Sequence, residues 1–347
     1  AKTVCADSEK FGVIIGGLGR MPDPSEVLED LGVRWVRVNN HLDNKDANAA
    51  RLLEAGFNVI ITFNNHDTVN MLTDYGNPEQ FVHAGFPFAS KEIYQRKIRE
   101  VLAPLAFYLA KGRRIMAQCE NEINDASINT KSRYWRGTVA QYLSQLDAFY
   151  EAVKTVNSSI PVVLSGFASG VLSGAVKSDL DGSMSGLAAK LLIALLTKGR
   201  YDAADLHFYG CTNDITPQAR WVKEYLPSGK SWISTENGGP DYRCGSTPIR
   251  YEQDPLGYER LQAEQVPQRL SACVDNGARV CLWFSFFDLK KEIGVFSHMG
   301  LLEINTSGNG KTLKAKKDKL SKKKLSVLLR KKPAYHAFKT FVESRQD

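Results

Sequence analysis

Two glutamates that close apolar runs are the side chains in this sequence best placed to do chemistry. Residues 113–124 begin as a buried-strand pattern and end abruptly in Glu120, Asn121 and Glu122. Residues 230–239 repeat the design, an apolar run closing on Thr235, Glu236, Asn237 and two glycines. An ionised carboxylate is costly to take out of water unless it is paired or protonated, so acids at the end of a core strand mark a site. Two carboxylates that share a cleft are the minimum equipment for cleaving a glycosidic bond. One protonates the departing oxygen while the other attacks the anomeric carbon or activates water.

Such a pair, more than a hundred positions apart, has to be assembled by the scaffold. Along the chain a helical pattern, a Gly or Asn stop and a short β-branched or aromatic run recur as one unit. Strands are expected at 11–15, 33–38, 57–63, within 113–124, at 161–165, 204–209, around 231–236 and at 279–287. Helices are expected near 24–31, 44–55, 90–110, up to 156, at 183–197, 216–226, up to 276, and at 333–344. Eight such units close naturally into a (β/α)8 TIM barrel, here a single domain over residues 1–347 with a basic insertion at about 309–332. An open doubly wound sheet fits less well, because Gly16, Gly17 and Gly19 lack the dinucleotide spacing. In a barrel the active site lies at the C-terminal ends of the strands, which is where Asn40, His66, Glu122, Tyr209, Glu236 and Trp283 fall.

Composition narrows the function classes. Hydrophobic content of 43% and charged content of 24% belong to an ordinary globular chain, and no uncharged apolar run is long enough for a membrane span. The net charge of +7 is concentrated: residues 311–332 carry eleven Lys or Arg against one Asp, a local +10 that leaves −3 elsewhere. One late basic segment is not the spread, aromatic-studded face of a nucleic-acid binder; it reads as a solvated loop or as a contact for an anionic polysaccharide. No nucleic acid, membrane, cofactor or metal is expected, and a monomer is. The six cysteines show no zinc spacing; Cys119 and Cys281 read as buried thiols, and Cys211 and Cys244 follow successive strands where they could form a disulfide. The sequence starts at Ala1 without initiator Met or signal peptide, which suggests a processed, secreted product.

Asn121-Glu122 after strand four, Thr235-Glu236-Asn237-Gly238 after strand seven, His207-Phe208-Tyr209 on strand six and Trp283 on strand eight together resemble the clan A glycoside hydrolases, similar to families 5 and 39. The resemblance implies a retaining double-displacement mechanism on an oligo- or polysaccharide, with Glu122 as acid/base and Glu236 as nucleophile. It further implies that Asn121 bonds the 2-hydroxyl of the attacked sugar and that Tyr209 and Arg37 hold Glu236 ionised. Period-two alternation puts Glu120 on the face of Glu122, inside the barrel and paired with a strand-two arginine; Arg37 is either that partner or the nucleophile's neighbour. His207 is either satisfied in the core or a substrate contact, His66 is expected to bind sugar, His41 to be a loop residue, and Trp283 to be the aromatic floor beneath a sugar. The alternatives are a carbohydrate-binding barrel without catalysis and, last, a metal-dependent barrel hydrolase, which wants a His pair where Gly16-Gly17 stands.

Overall fold

The computed structural model describes residues 7–15, 23–42, 47–123, 134–245, 249–289, 294–304 and 329–345. Cys5, the 16–19 glycine turn and most of the basic segment lie outside them. Eight parallel strands close into a barrel in sequence order: β1 (Phe11–Ile14), β2 (Trp35–Asn40), β3 (Asn58–Phe63), β4 (Ile115–Cys119), β5 (Val162–Phe167), β6 (Ala203–Phe208), β7 (Ser231–Asn237) and β8 (Cys281–Trp283). Around it run α1 (Ser25–Leu31), α2 (Ala47–Glu54), α3 (Lys91–Leu102), α4 (Phe107–Ala110), α5 (Val139–Val156), α6 (Ser169–Val176), α7 (Met184–Lys198), α8 (Ile215–Tyr225) and α9 (Pro255–Asp275), with a closing helix at Pro333–Glu343.

Alternation along the strands sorts the core into two parts. Trp35, Ile60, Met116, Val163, Ala203, Ile233, Val280 and Leu282 point inward as one apolar cluster near the strand starts. Their neighbours, including Val36, Val59, Ile61, Val162, Leu164 and Cys281, point outward into the larger core under the helices. The inner cluster plugs the barrel floor, so polar inward positions higher up can be dry without water entering from below.

Local chemistry sets the boundaries. Thr138 and Gln141 form a reciprocal capping box at the start of α5, and Gly32 ends α1 in the left-handed region at φ 78°. The single helix expected at 90–110 is broken at Pro104, where a short 3-10 segment separates α3 from α4. Two features were not anticipated: α6, and a small antiparallel pair of Leu302–Ile304 with Leu329–Lys331, from which the flanks of the basic segment leave. No helix among the described residues is long and apolar enough to cross a membrane.

Candidate active site

The inward rows continue upward from the floor two residues at a time. Above Trp35, Ile60, Met116, Ala203 and Ile233 stand Arg37, Thr62, Gln118, Asp205 and Thr235, all fully or almost fully buried. Five polar groups in a dry interior require partners, and they find them in one another. Arg37 Nε donates to Thr62 Oγ1 at 2.8 Å, Thr62 donates to Gln118 Oε1 at 2.6 Å, and Gln118 Nε2 donates to Asp205 Oδ2 at 2.6 Å. The Thr235 hydroxyl closes on the same Asp205 oxygen at 2.6 Å. This chain is a rigid shelf across the barrel.

The two glutamates rest on that shelf. Arg37 Nη1 donates to Glu236 Oε1 and the Tyr209 hydroxyl donates to Glu236 Oε2, both at 2.5 Å. Arg37 Nη2 donates to Asn121 Oδ1 at 2.8 Å, which fixes the amide beside Glu122. Glu122 itself is aimed by backbone geometry: its φ is 41°, and the next amide, Ile123 N–H, is held by Ser165 Oγ on β5. His207 fits between them, with Nδ1 2.7 Å from Glu122 Oε1 and Nε2 3.1 Å from Asp205 Oδ2. A Cβ on Gly166 would stand 2.2 Å from His207 Nε2, so only glycine on β5 leaves room for this ring.

Electrostatics set the charges of the buried groups. Burial alone would raise Glu236, but His207, Arg37 and the Tyr209 hydrogen bond outweigh it and hold the carboxyl below its ordinary value. His207 is opposite: burial would lower it, yet Glu236, Asp205 and Glu122 push it up to about 10, so the ring is an imidazolium donating from both nitrogens. Asp205, although buried, is held below its ordinary value mainly by that imidazolium. Oxygens of Glu122 and Glu236 and a nitrogen of His207 lie within 4.8 Å of one another, close enough to share a cation. The Arg37 guanidinium and the imidazolium already fill that electrostatic position, which disfavours a metal ion there.

A cavity of about 230 Å³ opens above the pair, lined among others by Asn39, His41, Asn64, Asn121, Tyr209 and Phe284. Several expectations are corrected. Asn40 faces outward and its side chain accepts from Leu42 N–H; the residue that lines the cavity is Asn39, on the face of Arg37. Trp283 is fully buried in the outer core, with Nε1 donating to Met299 O; the aromatic in the cavity is the next residue, Phe284. His207 is fully buried and touches the glutamates instead of the cavity. His66 bonds Ala84 O and packs edge-on to His41, and it is His41 that lines the cavity. Glu120 makes no ion pair with strand two: with φ at 63° it leaves the strand pattern, and its carboxylate accepts from Asn65 N–H, Asn64 Nδ2 and Gln145 Nε2. Arg37 is therefore the neighbour of Glu236.

Tyr134, one of the top-loop aromatics that with Trp135, Tyr242 and Tyr251 could extend the cleft or simply pack the loops, lines the cavity; His83, Leu289 and Phe296 also line it and were not singled out, because they come from loops whose course no strand periodicity reveals. Cys211 and Cys244 do form a disulfide, and Cys119 and Cys281 are buried free thiols.

No family model matches the chain, and no curated protein does. Solved structures do. A β-glycosidase aligns with TM-score 0.62 at 14% identity, over 98% of this chain and 97% of its own. GH5_18 from Bifidobacterium longum aligns with TM-score 0.61 at 15% identity, over 97% of this chain and 79% of its own. The GH53 catalytic domain of Ignisphaera aggregans aligns with TM-score 0.55 at 17% identity, over 87% of this chain and 93% of its own. The fold is thus one that glycosidases use.

Proposed function

We propose that the protein is a retaining glycoside hydrolase that cleaves β-glycosidic bonds in an oligo- or polysaccharide, with Glu236 as nucleophile and Glu122 as acid/base. The observation that carries this reading is the pair itself: carboxylate oxygens within 4.8 Å of each other at the mouth of a barrel. Inverting enzymes hold their acids ~6.5–9.5 Å apart to admit a water, so the closer spacing supports direct attack by one of them.

The division of labour follows from charge. Arg37 and His207 supply two positive charges, which Asp205 and Glu236 balance. A proton on Glu122 then leaves the cluster neutral, and Glu236 is the carboxylate that Arg37 holds directly. Glu236, fixed at both oxygens and ionised, attacks the anomeric carbon as Glu122 gives its proton to the leaving oxygen. Glu122, now anionic beside the imidazolium, takes a proton from the incoming water, whose oxygen displaces Glu236. Asn121 has its Oδ1 committed to Arg37, so Nδ2 is left to donate to the 2-hydroxyl of the attacked sugar. Phe284 supplies the apolar face for that ring. The disulfide fits an oxidising compartment and supports secretion.

A panel of aryl β-glycosides and polysaccharides with product sizing tests the activity. Incubation with 2-deoxy-2-fluoro glycosides and peptide mass mapping tests the nucleophile. The label is expected on Glu236, and Glu122→Ala is expected to slow turnover of unactivated substrates by ~10²–10⁴ with the fold intact. Sugar binding without product, in the panel and in trapping, would leave a carbohydrate-binding barrel instead.

A further inference from the structure

A second cavity, of about 460 Å³, adjoins the first and shares Glu122, Tyr134, Tyr209 and Phe296 with it. Glu236 lines only the first. On the glycosidase reading above, the nucleophile must touch the sugar being attacked, whereas the acid must touch the oxygen that departs. The cavity holding Glu236 therefore seats the glycosyl group, and the one reached by Glu122 alone receives the leaving group.

Its far wall comes from the turns after β5, β6 and β7, and the Cys211–Cys244 disulfide ties the last two together. The charges on this wall are matched. Arg243 is clasped by Asp241, Nε to Oδ1 at 2.8 Å and Nη2 to Oδ2 at 2.5 Å. Arg269, buried behind the wall, donates to the carbonyls of Phe208 and Gly210. Two guanidiniums thus face the carboxylates of Asp241 and Asp214, and among the described residues of this wall no cation is in surplus to receive an anionic group. Asp214 lines the cavity, and no hydrogen bond or ion pair to its carboxylate is found among the described residues. Neighbouring hydroxyls of a sugar ring present the pair of donors that such a carboxylate accepts.

We propose that this cavity is a leaving-group subsite for a neutral sugar, with Asp214 as the hydroxyl acceptor and the Cys211–Cys244 bridge holding its wall in place. The inference rests on the glycosidase reading, and a trapped enzyme separates the two. Once a 2-fluoro glycosyl group is bonded to Glu236, a sugar bound in the second cavity can accept it. The acceptor's hydroxyl oxygen attacks the anomeric carbon, the ester bond to Glu236 breaks, and the hydroxyl proton passes to the Glu122 carboxylate.

Reactivation of the trapped enzyme is measured in buffer alone and with methyl β-glucoside, methyl β-xyloside, methyl β-galactoside or glucuronate. At least one neutral glycoside is expected to accelerate reactivation by about fivefold or more, the scale of one or two hydrogen bonds, while glucuronate stays within about twofold of buffer. Asp214→Ala is expected to lose the neutral acceleration over its own buffer rate and, by removing one negative charge, improve glucuronate relative to the neutral acceptors. The Cys211→Ser/Cys244→Ser pair is expected to lose the acceleration as well. Glucuronate matching the neutral sugars, no neutral acceptor working, or Asp214→Ala accelerating as wild type does would each overturn the proposal and leave the parent reading standing. Failure to form the adduct would remove both.

Discussion

Tyr209 is the side chain where position and protonation are most directly linked. Its hydroxyl gives Glu236 one of two strong hydrogen bonds, and burial together with that carboxylate pushes the phenol well above its ordinary value, so it stays a donor. Tyr209→Phe removes a bond that favours the ionised form of Glu236. The carboxyl pKa should then rise, moving the acid limb of kcat/KM to higher pH and cutting kcat by ~10-fold, since a hydrogen bond to a charged group is worth ~1.5–3 kcal/mol. A pH–rate profile of the variant checks this; an unmoved acid limb would show that Arg37 and His207 alone set the charge. Much at this scale was legible. Glu122, Glu236, Arg37, Asn121 and Tyr209 converge as strand ends of a barrel require. Two of the misplacements are one-residue slips: Asn40 for Asn39 and Trp283 for Phe284 are each on the wrong face of their strand, which counting by two from Arg37 and Leu282 would have shown.

Glu120 was misplaced for a reason that belongs to the elements. Alternation along β4 ends at Cys119, and a left-handed residue follows, so period two no longer predicts where the next side chain goes. That residue turns Glu120 into the seam between β3, the 64–90 loop and α5. A Cβ on Gly85 would come 1.7 Å from its Oε2, which makes glycine obligatory there. Burial raises Glu120 to about 8 against three donated hydrogen bonds that lower it. An acid with a raised folded pKa binds its proton more tightly in the native state than in the unfolded chain. Stability is therefore expected to fall as pH rises from about 4.5 towards 8, and to level off above. Glu120→Gln should flatten that slope, as read from urea midpoints at pH 5, 6.5 and 8. An unchanged slope would mean that other groups set it. The strand order was legible because each β-branched run has its own Gly or Asn stop. The pair at Leu302–Ile304 and Leu329–Lys331 was not, since three residues are too few to show a period.

At the scale of the whole molecule the closed barrel leaves one seam, where β1 meets β8 and the two ends of the described chain come together. Ser8 N–H donates to Arg345 O, and Phe11 packs edge-on against Phe341 at 5.2 Å. The closing helix lies along α9 and α1 with Tyr335, Phe338, Phe341 and Val342 buried, and Asp30 of α1 receives Lys331, Lys339 and the Tyr335 hydroxyl. The ion cluster looks the stronger clasp, but Asp30 is about a third exposed, so solvent and salt discount it to ~1 kcal/mol or less. Burying a phenyl ring is not screened. Phe338→Ala should lower unfolding free energy by ~3–5 kcal/mol, while Asp30→Asn costs ~1 kcal/mol at neutral pH. The lysines and the tyrosine hold Asp30 below its ordinary value, so its contribution is present above about 3.8 and fades as pH falls below that. Urea titrations at pH 7 and pH 3 should therefore show the Asp30→Asn difference only at pH 7 and the Phe338→Ala difference at both. If the asparagine variant were the weaker one at pH 7, the seam would be electrostatic.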